Sequence, residues 1–339
     1  MTRRGFLAMA PLMYAADNSA RLGVDLFSVR SQKWTPFESL DYCARLGAKL
    51  VHFSELQYLG SLDDANLLAV REHANKLGVS IEVGTRTCCP TSKAFDPKLG
   101  TPEEQMLRAI NAAHVTGSPI VRTFTGTSAD RDPASGGIER QIEAMAQLLK
   151  SMRSRITDLN LKIAIENHSG DMQARELKSL VEAAGKDYVG VCLDAGNPLW
   201  TLEDPHLTLE TLYPYVLTTH CRDTAVWRVP EGAAVAWVRM GEGNVGIAEY
   251  VAKLRRLRPD LPVTLEIIVT NARVFPYLDE KFWAPYRNQP AWEFARFLKI
   301  AEQGHPREPL PPLKGDAALV RERADLEASL IFTRNILNV

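Results

Sequence analysis

The sequence predicts an α/β chain folded as a (β/α)8 TIM barrel with a C-terminal helical extension. Three observations predict it. Eight short apolar or β-branched runs recur along the chain, each followed by a segment of helical period. Their starts lie 27 to 47 residues apart, which leaves room for the crossover that successive parallel strands require. The eight units follow one another over about 285 residues with no Pro-, Gly- or Ser-rich linker, which favours one barrel over two domains.

The runs begin near Leu22 (LGVDLF), Lys49 (KLVHF), Val79 (VSIEV), Pro119 (PIVRTF), Leu161 (LKIAIE), Tyr188 (YVGVCLD), Tyr215 (YVLTTH) and Pro262 (PVTLEI). They are nearly continuously apolar, as expected of strands covered by helices on one face and by a packed interior on the other. Between them, Glu103 to Thr116 sets Met106, Leu107, Ile110, Ala113 and His114 on one stripe, and Ile138 to Ile156 does the same with Ile142, Met145, Leu148, Leu149 and Met152. Gly47, Gly78, Gly117 and Gly185 stand near helix ends, where a left-handed cap costs glycine least.

Residues 1–17 are set apart from the barrel. Arg3 and Arg4, followed by Phe6-Leu7 and an apolar run to Ala16, have the layout of a twin-arginine export leader, which implies a periplasmic location. The barrel takes residues 18–306, and residues 307–339 form a Pro-rich connector and a helix over Leu319 to Ile336. That helix suits either the barrel exterior or a contact in a homo-oligomer. Charge is balanced, with 40 Lys and Arg against 41 Asp and Glu, so no basic field exists to displace phosphate counterions and no nucleic-acid partner is expected. Five scattered cysteines do not make a disulfide framework. No run reaches the roughly 18 apolar residues of a membrane span, so no stable membrane anchor is expected.

Barrel chemistry is built where strands end. The last four runs each end in a potential metal ligand: Glu166, Asp194, His220 and Glu266. Two Glu, one Asp and one His suit one divalent ion, Mn, Mg, Co or Zn, with positions left for substrate. Singly, a rim ion pair, a helix N-cap or a core imidazole explains each of them as well. Their coincidence on four consecutive strands favours a site, because acids directly after KIAI and VTL lie where unpaired charge is costly. His168 and Arg222, two residues beyond Glu166 and His220, share their faces. Arg222 offers a fixed cation for an enolate or carboxylate. Glu55 and Arg122 are further candidates for substrate hydroxyls, with rim ion pairs as the equal alternative. Trp34 and the Phe275–Trp283 segment are candidates for an aromatic wall.

With the segments IEN, LDAGN, THCRD and LEI and the turn Gly241-Glu242-Gly243, the chain from about residue 20 to 305 resembles the sugar isomerase/epimerase superfamily, whose xylose-isomerase-like barrels include ketose 3-epimerases and endonuclease IV. The resemblance implies that Glu166, Asp194, His220 and Glu266 bind the metal, and that Glu166 and Glu266 also act as the acid/base pair on opposite sides of a carbohydrate. One position departs from it. Many epimerase relatives carry His where this chain has Asn197, and an amide there can contact a substrate hydroxyl but cannot carry a proton.

Gly241-Glu242-Gly243-Asn244-Val245-Gly246 also matches G-x-G-x-x-G, with Glu266 twenty residues on. No further βα units follow, so the reading as a dinucleotide site is set aside. The expected function is a sugar isomerase or epimerase working through an enediolate. The alternative is a metal-dependent lyase or hydratase on oxidised 3-keto glycosides. An endonuclease IV-like repair enzyme conflicts with seven dispersed histidines (52, 73, 114, 168, 206, 220, 305) and the missing basic groove, and a silent sugar binder would not need both Glu166 and Glu266.

Overall fold

The computed structural model describes residues 21–338. The expected export leader, residues 1–17, lies outside the described residues. The strands are β1 Leu22–Asp25, β2 Leu50–Phe53, β3 Ser80–Gly84, β4 Ile120–Phe124, β5 Lys162–Glu166, β6 Val189–Asp194, β7 Val216–His220, β8 Asp223–Val229, β9 Gly232–Val238, β10 Val263–Leu265 and β11 Arg273–Phe275. The helices are α1 Pro36–Arg45, α2 Asp64–Leu77, α3 Pro102–Thr116, α4 Gly137–Ser151, α5 Arg153–Asp158, α6 Ala174–Ala184, α7 Pro205–Leu212, α8 Ile247–Leu257, α9 Ala291–Gln303 and α10 Asp316–Leu337.

Eight strands pair in parallel in the order β10-β1-β2-β3-β4-β5-β6-β7. The ring closes through a bridge between Cys221 and Leu265, where Cys221 N donates to Thr264 O (2.6 Å) and Glu266 N to Cys221 O (3.2 Å). These eight are the strands expected from sequence. The remaining three, in the order β11-β9-β8, form a small antiparallel sheet. The longest interval, from Tyr215 to Pro262, therefore holds the β8–β9 hairpin as well as a helix.

Local chemistry fixes several helix ends. Thr35 and Thr101 open α1 and α3 with reciprocal capping boxes to Glu38 and Glu104, and each is followed by Pro, whose missing N–H is harmless at that position. Gly78 and Gly117 close α2 and α3 at φ 67° and 80°, where a side chain would be strained. The single helix expected over Ile138 to Ile156 breaks at Met152 (φ −101°, ψ 1°) into α4 and α5. α10 packs on the barrel exterior with Leu326 and Leu330 buried, and the Tyr42 hydroxyl donates to Glu327 (2.8 Å). Among the described residues, no helix is long and apolar enough to cross a membrane.

Alternation along the strands sorts the side chains. On β5, Ile163 and Ile165 join the large core beneath the helices, whereas Ala164 packs inside the barrel with Ile120 and Cys192. The same inward positions carry Asp25, His52, Glu82, Arg122, Glu166, Asp194, Thr218 and His220, all buried. The barrel is thus filled largely by polar groups that must satisfy one another.

Candidate active site

Glu166, Asp194 and His220 are the last residues of β5, β6 and β7, and Glu266 directly follows β10. Parallel register places Asp194 beside His220 and Glu166 beside Cys192. One ligand atom from each of the four lies within 4.8 Å of the others, and all four residues are buried.

The cluster is held by a dense set of donors. Arg122 Nε donates to Glu166 Oε2 (2.6 Å), and Asn197 Nδ2 to Glu166 Oε1 (3.1 Å). Arg222 Nε donates to Asp194 Oδ2 (2.8 Å), and the same guanidinium pairs with Glu266. Asp194 Oδ1 accepts from the amides of Gly196 (2.7 Å) and Asn197 (2.8 Å), so it caps its own turn as well as facing the cluster. Asn167 continues the β5–β6 ladder with its side chain, donating to Asp194 O (2.9 Å) and accepting from Asp194 N (2.8 Å).

These neighbours set the charges. Burial pushes the Glu166 carboxyl up, but the Arg122 guanidinium and His220 outweigh it and hold it well below the usual carboxylate range. Burial acts likewise on Glu266, and Arg222 with His220 brings it down. Asp194 goes the other way, because burial and the charges of Glu166 and Glu266 outweigh Arg222.

His220 is the hinge of the arrangement. Its Nδ1 lies 2.9 Å from Glu266 Oε2 and 3.1 Å from Glu166 Oε2, yet makes no hydrogen bond of good geometry to either. Its Nε2 faces His52 Nδ1 (2.9 Å) and Asp25 Oδ2 (3.1 Å). Burial lowers the His220 imidazole, but Cys192 and the carboxylates of Glu166, Asp25 and Glu266 outweigh it and hold it well above its ordinary range. An ion that displaces the Nδ1 proton, with Nε2–H kept toward Asp25, would meet a lone pair aimed among the carboxylates. Asp25 is itself fixed by the Ser54 hydroxyl and by Phe27 N. Three carboxylates facing two guanidiniums, with Asp25 behind them, leave surplus negative charge around an unpaired imidazole nitrogen. This donor set fits one divalent cation.

The other expected residues are distributed around this cluster. Arg122 is the immediate counter-ion of Glu166, and Arg222 lies between Asp194 and Glu266. His168 stacks on Phe124 (centroids 4.1 Å apart) with Nδ1 3.2 Å from Gly126 O, on the loop beside the cluster. Glu55 stays at the rim, where its carboxylate accepts from Gln57 (2.7 Å). Trp34 packs on Tyr42, Phe282 packs on Trp283, Tyr286 and Phe275, and Trp283 packs on Phe294. Of the expected aromatic wall, Phe275 reaches inward, to Trp200 (5.9 Å).

Sequence reading missed Asp25, His52, Glu82, Asn167, Trp200 and Trp237. The signal for the first three was present: a polar residue at an inward position of β1, β2 and β3, which nothing but a polar interior would tolerate. The glycine turn also finds its role. Gly241 N and Gly243 N both donate to Asp223 Oδ2 (2.9 Å each), and Asp223 Oδ1 would lie 2.1 Å from a Cβ on residue 243. The amides that a pyrophosphate would require are already taken by the chain's own carboxylate.

Residues 40–286 match the family of xylose isomerase-like TIM barrels. The chain belongs to that family. A 3-oxo-isoapionate decarboxylase from Pectobacterium atrosepticum is 26% identical over 225 residues, 65% of this chain and 72% of the relative. The fold is similar to D-psicose 3-epimerase from Clostridium cellulolyticum H10 (TM-score 0.58, 13% identity, covering 94% of this chain and 99% of the other). It is also similar to 3-keto-D-glucoside 4-epimerase from E. coli (TM-score 0.55, 11% identity, covering 81% and 99%). By name, the sequence relative is a decarboxylase and these two similar structures are epimerases.

Proposed function

We propose that this chain is a divalent-metal-dependent isomerase or epimerase that moves a proton on a keto-sugar or sugar-like polyol. The observation that carries the reading is the pair of buried glutamates, Glu166 at the end of β5 and Glu266 after β10, converging on His220 Nδ1 at 3.1 and 2.9 Å. Glu166, Asp194, His220 and Glu266 are the residues to hold the ion. Bound there, a divalent cation supplies positive charge that stabilises a developing oxyanion and acidifies the neighbouring C–H.

The chain's own groups supply the rest. One glutamate, ionised at rest, accepts the proton from the carbon beside the carbonyl, and the other takes a proton from solvent and delivers it to that carbon from the opposite side. Arg222, fixed between Asp194 and Glu266, places a permanent cation next to the charge that appears on the substrate oxygen. Arg122 and Asn197 immobilise both oxygens of Glu166. The glutamates regain their starting protonation by exchange with water, so solvent hydrogen enters the product.

The similarity to a decarboxylase of a 3-oxo sugar acid favours a second reading. In a 3-oxo acid the bond to the carboxylate breaks, CO2 leaves and its electron pair forms the same kind of enolate; one glutamate, loaded with a proton from solvent, then protonates that carbon while the other is idle. The test is elemental analysis of the purified protein, then incubation with ketoses, 3-keto glycosides and 3-oxo sugar acids in deuterated water. One divalent ion per chain, with deuterium entering a carbon beside a carbonyl, supports the reading. Retained ketoses with deuterium at that carbon indicate epimerisation, and shortened products indicate the lyase. A metal-free protein that exchanges no carbon-bound hydrogen in any of them overturns both.

A further inference from the structure

Two tryptophans stand where the proposed function leaves the substrate's remaining atoms unaccounted for. Trp237 on β9 lies against Arg222, whose guanidinium carbon is 4.7 Å from the indole centroid. Trp200, three residues after Asn197, meets Trp237 at 4.5 Å between centroids with the planes tilted by 40°. The two rings therefore form a corner, and Trp237 is only half-buried, so the corner reaches solvent.

Three loops of the barrel's C-terminal face fix it. Trp237 N donates to Thr270 Oγ1 (3.2 Å) and Thr270 N to Trp237 O (3.1 Å), which ties the hairpin to the segment just after Glu266. Gly196 lets the Arg222 side chain cross the β6 loop, since a Cβ there would lie 2.3 Å from Arg222 Cγ. Phe275 of β11 stands edge-on behind Trp200.

The polar atoms of this corner have no partners. Trp200 Nε1, Trp237 Nε1 and Asn197 Oδ1 are all buried without a hydrogen bond among the described residues. Trp200 is 9% exposed and Asn197 2%. An indole N–H only donates and an amide oxygen only accepts, so two unpartnered donors on the touching Trp200 and Trp237 rings and one unpartnered acceptor three residues before Trp200 call for a ligand able to do both. A hydroxyl does both. An ionised phosphate oxygen accepts only, and would be repelled by Asn197 Oδ1. The flat indole faces suit the C–H side of a sugar ring.

We propose that Trp200, Trp237 and Asn197 form a subsite for the uncharged, hydroxyl-bearing part of the substrate, beside the carboxylate cluster and across Arg222 from Glu266. The subsite takes its ligand class, an unphosphorylated sugar ring or polyol, in part from the proposed function and in part from the donor and acceptor pattern. The indole N–H groups bind hydroxyl oxygens, Asn197 Oδ1 receives a hydroxyl hydrogen, and the reacting carbon is left between the two glutamates.

The test follows the indole 1H–15N resonances of the wild-type protein, with Trp200 and Trp237 assigned through Trp200→Phe and Trp237→Phe. Methyl β-D-glucopyranoside, D-fructose, xylitol and inorganic phosphate are titrated in turn. Saturable shifts of these two resonances with at least one of the three hydroxylated compounds, and none with phosphate, are expected. Exchange of both N–H groups with water and no response to any sugar or polyol would show solvent-filled positions and overturn the subsite. On a turned-over substrate, Trp237→Phe keeps a ring and loses the donor, so KM should rise about 3- to 10-fold. Failure of the proposed function reads out separately: no solvent deuterium enters any substrate, while the indole shifts still decide the subsite. Turnover with unmoved indole resonances keeps the function and removes the subsite.

Discussion

Glu203 offers a perturbation whose sign and size follow from the fold. It is buried at the start of the α7 turn, where both carboxyl oxygens accept from Ala174 N (2.9 and 3.1 Å) at the first residue of α6. Burial raises its carboxyl from 4.5 to about 8, more than those hydrogen bonds lower it. The folded chain therefore holds this proton more tightly than the unfolded chain does. Stability associated with it is fully present below pH 4.5 and is lost as pH rises through 8. Each pH unit well inside those limits removes about 1.4 kcal/mol, which makes about 3.5 kcal/mol between pH 5 and pH 8 once the rounded ends of the two titrations are counted. Glu203→Gln keeps an acceptor for Ala174 N and has no proton to lose. Denaturant unfolding of both proteins across that range should show the Gln variant gaining on wild type by about that amount as pH rises. Parallel stability curves, or a gap that narrows toward pH 8, would refute the desolvation argument.

Asp223→Ala should lower stability by about 1–3 kcal/mol, read as a fall in Tm of several degrees, because Gly241 N, Gly243 N and Thr224 N lose their shared acceptor; an unchanged Tm would mean the turn is not held by that carboxylate. Asp25→Asn should keep the fold and weaken divalent-ion binding about 10- to 100-fold, measured by competition with a chelator, because the charge behind His220 Nε2 is gone; unaltered affinity would remove Asp25 from the account. A reporter fused behind residues 1–20 should be exported and should be retained when Arg3 and Arg4 are both replaced by Lys; equal retention of the two fusions would remove the leader.

The barrel was legible because its signals are local and repeated. Each strand announces itself by an apolar run and each helix by its stripe, and the capping Thr and Gly residues sit where the chain must turn. The β8–β9 hairpin was not, since its alternating run from Asp223 to Val238 lies inside an interval already long enough for a helix. The four strand-end residues could be picked out because chemistry in a barrel gathers at one edge. Arg122, Arg222 and Asn197 could be named as candidates but not matched to particular carboxylates, and His52 and Asp25 could not be named at all. Arg122 answers Glu166 from 44 residues away, His52 answers His220 from 168, and only closure of the ring brings them together. Trp200 and Trp237 carry no periodic signal, and what marks them is the absence of partners for their N–H groups after folding.

The central claim is that Glu166 and Glu266 carry the proton. Each should be replaced by Gln in turn, with metal content and deuterium entry from solvent measured on the same samples. A Gln side chain keeps an oxygen for coordination and cannot act as a base. The account predicts that metal content stays near wild type while net turnover falls by about 10² to 10⁴-fold in each variant. For epimerisation, one variant should still exchange hydrogen on a single face. Full turnover by both variants with the metal retained would contradict it, and would leave the two glutamates as ligands alone.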